Sequence, residues 1–313
     1  MALIEARSLG KTFGSHRAVD DLSFTVRPGS VTGFLGPNGS GKSTTMRLML
    51  GLDHGEGVTT FDGVPFTGLD HPMRHVGALL EAKPFHPTRK ARNHLRMLAA
   101  PNGIDDRRVD EVIDMVGLSA VGKGRPGKFS LGMGQRLGIA AALLGDPHTL
   151  ILDEPSNGLD PQGITWLRNL LKHLAQQGRS VFVSSHLLQE MALLADELVV
   201  IGRGRMLANG PVHDFISHSS LGSVTVRSPD LGALAPALQA LGATVTPGDD
   251  AVVVRGATAE QIGDAAHAAG VRLHQLTTRE ATLEEAFLEA TGLSEEFRGT
   301  HDQDHGQGQG EQL

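Results

Sequence analysis

The sequence predicts an α/β domain built on a parallel sheet, with a helical stretch inserted in it, followed by a small α+β domain. Three observations carry this prediction. Over the first two thirds of the 313 residues, β-rich runs alternate with helical segments, and several runs are apolar throughout, as strands covered on both faces are. Residues 88–145 are mostly helical in pattern. Beyond about residue 218 the order becomes strand, helix, strand, strand, helix, strand, which is that of a split βαβ, ferredoxin-like unit.

Taken in order, "SFTVRPGSVTGFLG" is the first β-rich run and "TTMRLMLGL" the helix after it. Past the helical insert, "TLILDEP", "VFVSSH" and "ELVVIGRGRM" read as β-rich runs, with "GITWLRNLLKHLAQQG" and "LLQEMALLA" as helices between them. The strands "VTGFL", "LILD" and "VFVSS" lack clean alternation and are expected inside the sheet. The expected domains are therefore 1–217, with the helical subdomain at about 88–145, then 218–293. In the second domain Leu231, Leu234, Leu238 and Leu241 share one face of a helix, the pattern of an ordinary core. Residues 294–313 are polar and rich in Gly and Gln, too poor in apolar side chains to fold. His301 and His305 lie there, where a solvated tail competes with a metal-binding reading.

Composition narrows the function. The chain has no cysteine, which excludes disulfides, zinc-thiolate sites and thiol chemistry and points to a reducing compartment. No run approaches the roughly 18 apolar residues of a membrane span. The start "MALIEARSLGKTFG", with Glu5 inside its apolar portion, does not read as a signal peptide. A formal net charge of -7 argues against a nucleic-acid partner, because binding a phosphate backbone needs a basic footprint.

Two motifs carry chemistry. The stretch Gly36-Pro37-Asn38-Gly39-Ser40-Gly41-Lys42-Ser43-Thr44 contains G-x-x-x-x-G-K-[ST], after an apolar strand and before a helical run. Its glycines let backbone N–H groups wrap phosphate oxygens at a helix N-terminus, Lys42 neutralises the β- and γ-phosphates, and Ser43 reaches Mg²⁺. In "TLILDEP", Asp153 ends an apolar strand, where a carboxylate holds the metal through its shell. Glu154 beside it can serve as general base or orient the attacking water.

With these residues in place, the chain resembles the ATP-binding subunits of ABC transporters over nearly its whole length. "FSLGMGQRLGIAAALLGDP" is similar to the family's signature and the helix after it. "DEPSNGLDP" resembles the Walker B strand end running into the D-loop, and "VFVSSH" ends in the switch histidine, His186. The resemblance implies ATP and Mg²⁺ as cofactors, with Phe13 stacking on adenine, a role for which a core phenylalanine is the alternative. It further implies that Ser130 and Gly132 contact the γ-phosphate held by an opposite subunit, that Asp160 belongs to the D-loop linking the two sites, and that His186 touches the γ-phosphate. Each site is then split between two subunits, so a second ATPase subunit is required and a homodimer is expected. Closure on ATP and opening after hydrolysis would drive separate membrane permease subunits, with this chain on the cytoplasmic face of the membrane.

The sequence departs from the family pattern in two places. Leu131 and Met133 stand where the signature usually has its first glycine and its glutamine, and Glu81 stands where the Q-loop usually has glutamine. A carboxylate at 81 can still approach the metal or its water, and it also occurs in exporters resembling the bacitracin-resistance type. The resemblance places a permease contact at Ala82 to Arg92, near Lys83, Phe85 and Arg89. The leading expectation is an exporter ATPase for a drug, antibiotic or lipid-like substrate. A soluble ATPase of the translation or repair type, and an importer ATPase regulated by a ligand at 218–293, stay open as alternatives.

Overall fold

A computed structural model of the chain describes residues 3–81, 85–217, 219, 221–247 and 251–292. Lys83 and the segment 294–313, with His301 and His305, lie outside the described residues. The chain divides into two compact units, Met1–Pro211 and Val212–Leu313.

In chain order the first unit contains β1 (Ile4–Phe13), β2 (His16–Val26), β3 (Val31–Leu35), α1 (Lys42–Met49), β4 (Glu56–Phe61), β5 (Val64–Pro65), α2 (Pro72–His75) and β6 (Val76–Leu79). It continues with α3 (Ala91–Ala99), α4 (Asp106–Met115), α5 (Leu131–Leu143), β7 (Thr149–Leu152), α6 (Pro161–Gln176), β8 (Ser180–Ser184), α7 (Leu188–Leu194), β9 (Glu197–Gly202) and β10 (Arg205–Pro211). Six strands form one sheet in the order β10-β9-β3-β8-β7-β6. The five from β9 to β6 are parallel, and β10 is antiparallel to β9. Every residue of β3, β7 and β8 is buried, which is why these strands carry apolar runs rather than alternation.

A second sheet, β2-β1-β4-β5, is antiparallel. Its strands are covered on one side only, and β1 breaks register against β2 at three points, so period-two alternation is lost over its length. The two sheets meet at an aromatic cluster. Phe182 of β8 lies 4.9 Å from Phe34 of β3 and 5.3 Å from Phe24 of β2, centroid to centroid. This fixes the strand ends, and hence the loops after β3, β7 and β8, with respect to one another. The expected helical insert is present as α3, α4 and α5 between β6 and β7.

The second unit begins with α8 (Val212–Ser217), then runs β11 (Ser223–Arg227), α9 (Leu231–Ala240), β12 (Thr244–Pro247), β13 (Val252–Arg255), α10 (Ala259–Ala268), β14 (Gln275–Arg279) and α11 (Leu283–Thr291). Its sheet has the order β12-β13-β11-β14 with all neighbours antiparallel, the arrangement that a split βαβ pair produces. Leu234 and Leu238 of α9 are buried against Val224, Val226, Val254 and Ile262. Leu241, expected on the same face, is 39% exposed. The helix has already ended at Ala240, and the chain turns at Gly242 with φ +73°.

Candidate functional site

The site is built where β3 gives way to α1. Gly41 precedes α1 with φ +104°, and a Cβ there would lie 2.4 Å from the Ala18 carbonyl oxygen, so glycine alone fits the turn. The helix has no side-chain cap and no acidic residue in its first turn. Its first N–H groups and the positive end of its dipole are therefore available to an anion.

Lys42 is buried, and its Nζ donates to the carbonyls of Gly36 at 2.7 Å and Pro37 at 3.2 Å. Burial pushes its pKa below the usual lysine value, opposed by the negative charges of Glu154 and Asp153. An anionic phosphate would relieve that strain by supplying the charge that the loop carbonyls lack. Ser40 is buried beneath the loop, with its Oγ unpaired and 2.4 Å from where a Gly36 Cβ would stand.

A cleft of about 410 Å³ opens over this helix end. It is lined by Asn38, Gly39, Gly41, Lys42, Ser43 and Thr44 on one side, by Asp153 and Glu154 from the end of β7, and by Phe13, His16 and Ala18 from the β1–β2 hairpin. Phe13 is 51% exposed, with Lys11 Nζ 4.9 Å from its ring centroid. It is therefore not a core phenylalanine, and an exposed ring beside a phosphate-binding loop presents a face for stacking.

The acidic pair is held from several sides. Ser43 Oγ donates to Asp153 Oδ2 at 2.6 Å, and the Ser184 hydroxyl at the end of β8 donates to Asp153 Oδ1. The Glu154 N–H donates to Ser184 Oγ at 2.9 Å. Glu154 has φ +49°, in the left-handed region that non-glycine residues rarely occupy. Its Oε2 lies 2.6 Å from His186 Nδ1 and accepts the His186 N–H at 3.3 Å. Its carbonyl accepts from Asn157 N–H at 3.1 Å and from Gln135 Nε2 of α5 at 3.3 Å.

The other expected residues gather elsewhere in the unit. Ser130 caps α5, accepting the Met133 N–H at 3.2 Å. A Cβ on Gly132 would lie 2.9 Å from the Gly158 carbonyl, so the start of α5 abuts the turn that leads to Asp160. Asp160 caps α6, accepting the Gly163 N–H at 2.8 Å. The Leu131 side chain lies over Gly158 and is still 48% exposed. Ser130, Gly132 and Asp160 thus stand together, apart from the residues that line the cleft. Glu81 is exposed beyond β6 and is not a lining residue either. Its negative charge adds a minor contribution at Arg47 of α1, whose main partner is Asp53.

Among the described residues no group of three or more His, Cys, Asp or Glu stands together as a metal cage. A serine hydroxyl and a carboxylate in contact beside a phosphate-binding helix end fit Mg²⁺, which takes few protein oxygens and completes its shell with phosphates and water. Sequence reasoning passed over Ser184, although "VFVSSH" contains it two residues before His186. It also passed over His16, and over Gln135, which lies inside "FSLGMGQRLGIAAALLGDP" but was given no role of its own. Among the described residues no helix is long and apolar enough to cross a membrane.

Comparison with known proteins bears on this arrangement. Residues 19–157 match the ABC transporter family, and residues 222–284 match a family described only as a domain of unknown function. The chain is 42% identical over 214 residues to the bacitracin transport ATP-binding protein BcrA of Bacillus licheniformis, covering 67% of this chain and 70% of that one. It is 32% identical over 306 residues to the Nod factor export ATP-binding protein I of Cupriavidus metallidurans, covering 93% of this chain and 98% of that one. A solved structure described as the ATP-binding subunit of an ABC transporter superposes with a TM-score of 0.63 at 27% identity, covering 68% of this chain and 91% of that one.

Proposed function

This chain belongs to the ATP-binding subunits of ABC transporters, and on that premise we propose that it binds and hydrolyses Mg²⁺-ATP to power export of a drug, antibiotic or lipid-like substrate through separate membrane permease subunits. The observation that carries the reading is the 2.6 Å bond between Ser43 Oγ and Asp153 Oδ2, across 110 residues of sequence. It joins the phosphate-binding loop to the acidic strand end at the floor of one cleft.

Each side chain has a task there. Phe13 stacks on the adenine, the α1 N-terminus and Lys42 bind the phosphates, and Ser43 and Asp153 would hold the metal. When bound, Mg²⁺ supplies neutralisation of phosphate charge. Glu154 takes a proton from the attacking water or orients it, and His186 holds the Glu154 carboxylate and reaches the γ-phosphate. Glu81, exposed beyond β6 and outside the cleft lining, would have to turn towards the cleft to reach the metal or its water.

Ser130 and Gly132 serve the nucleotide of a second subunit, and Asp160 lies in the turn between the two sites. A homodimer that closes on ATP and opens after hydrolysis then works the permease from the cytoplasmic face of the membrane, because the closed state is the one the nucleotide stabilises. Export is supported by the Nod factor export relative, which spans 93% of this chain. The substrate class is supported by the bacitracin transport relative.

The test compares full-length wild type with Glu154→Gln for hydrolysis, ATP binding and oligomeric state. The variant is expected to bind ATP, to lose hydrolysis by about 10²–10⁴-fold, the range of a general base, and to accumulate as a dimer. Equal hydrolysis by the two proteins would refute the assignment of Glu154.

A further inference from the structure

We propose that Gln135 is a positioning residue for Glu154, through which helix α5 sets the backbone of the same subunit's catalytic carboxylate. The proposal rests on the reading of Glu154 given above. Gln135 is 1% exposed, and its Nε2 donates to the Glu154 carbonyl at 3.3 Å. Its Oε1 is buried with no hydrogen-bond partner.

A buried amide whose oxygen has no partner is costly. Its neighbours on α5, Leu137 and Ile139, are fully buried apolar residues, so packing alone would favour leucine or methionine at 135. What the amide adds is a donor to a residue whose φ of +49° needs external support.

The adjacent residue makes the second tie. Arg136 donates to the Val116 carbonyl at 3.0 Å, and its guanidinium lies 4.2 Å from the centre of the Trp166 ring on α6. Two successive residues of α5 therefore grip both ends of the segment 154–166, which carries Glu154 and Asp160. The same helix begins at the Ser130 cap. A shift of α5 moves the Glu154 carbonyl with it.

Two substitutions in the full-length protein separate positioning from space filling. Gln135→Met keeps the volume and removes the donor. Gln135→Glu keeps the shape and turns a carboxylate towards the carbonyl. Both are expected to lower kcat about 10–100-fold, the order of loss that misplacing a reacting group by about 1 Å produces, and Glu is expected to lose more than Met. For Gln135→Met the KM for ATP, the affinity for a fluorescent ATP analogue and the melting temperature are expected to stay at or above wild-type values, whereas Gln135→Glu, which buries an unpaired carboxylate, is expected to melt lower. Wild-type kcat in Gln135→Met would overturn the proposal, as would a loss of analogue affinity or melting temperature in that variant in proportion to its loss of kcat. Glu154→Gln is assayed in parallel, and if it hydrolyses ATP like wild type, the failure lies with Glu154 rather than with Gln135.

Discussion

His186 Nδ1 stands 2.6 Å from Glu154 Oε2, and the same oxygen accepts the His186 backbone N–H at 3.3 Å. The end of β8 thus grips the carboxylate that follows β7, and the side chain of Glu154 is held as firmly as its backbone. His186 is the more exposed partner, with 51% of its side chain accessible against 21% for Glu154. One ring nitrogen is engaged with the carboxylate, and the exposed remainder of the ring faces outward.

His186→Ala is therefore expected to weaken ATP binding only modestly and to lower kcat about 10–100-fold, the order of loss that misplacing a reacting group by about 1 Å produces. His186→Gln, which can still donate to Oε2, is expected to recover part of the loss. Steady-state hydrolysis with separate measurement of nucleotide affinity checks both.

Phe13 gives a test of stacking against packing. Because half of its ring is exposed, Phe13→Ala is expected to change stability by no more than about 0.5 kcal/mol, as surface substitutions do. ATP affinity is expected to fall by about 2–10-fold, in keeping with an aromatic pair worth about 0.5–1.5 kcal/mol, and Phe13→Trp to retain it. Chemical denaturation and nucleotide titration on the same two variants decide the matter.

In the second unit, helix α11 starts with a capping box in which Glu285 accepts the Thr282 N–H at 2.8 Å and the Arg279 guanidinium at 2.9 Å. The backbone bond from Thr282, followed by Arg279, holds the Glu285 carboxyl below its ordinary value of 4.5. A carboxylate with a depressed folded pKa contributes stability that is present above its unfolded value and lost as pH falls through the folded one. Glu285→Gln is accordingly expected to weaken the protein at neutral pH and to reduce the loss of stability below about pH 4.5. Thr282→Ala is expected to cost about 1 kcal/mol, most of which persists at low pH because the bond from the Glu285 N–H to the Thr282 hydroxyl does not titrate. Thermal unfolding followed across pH checks the pair.

The sequence revealed most where one physical cause dominated. Strands β3, β7 and β8 were legible because burial on both faces leaves continuous apolar runs. The phosphate-binding loop was legible because its glycines answer to backbone geometry, as Gly41 shows against Ala18. The antiparallel sheet was harder to read: β1 alternates only in fragments, with register shifts beyond Ala6, Leu9 and Lys11.

Leu241 looked like its neighbours on the wheel, but periodicity alone does not say where a helix stops, and the turn at Gly242 exposes it. Within the site, Ser43, Asp153 and Glu154 announce their chemistry by type and order. Gln135 and Ser184 do not, because their roles come from strands and helices far apart in the chain meeting at Glu154.

The Arg136–Trp166 stack has a practical consequence. The chain has one tryptophan and no tyrosine, so its intrinsic ultraviolet emission comes from a single indole on α6, with a guanidinium of α5 4.2 Å from the ring centre. Any displacement of one helix against the other alters the charge above that indole and with it the colour and yield of its light. The protein carries its own label at the joint between the two helices, and their motion during a turnover can be followed in unmodified material.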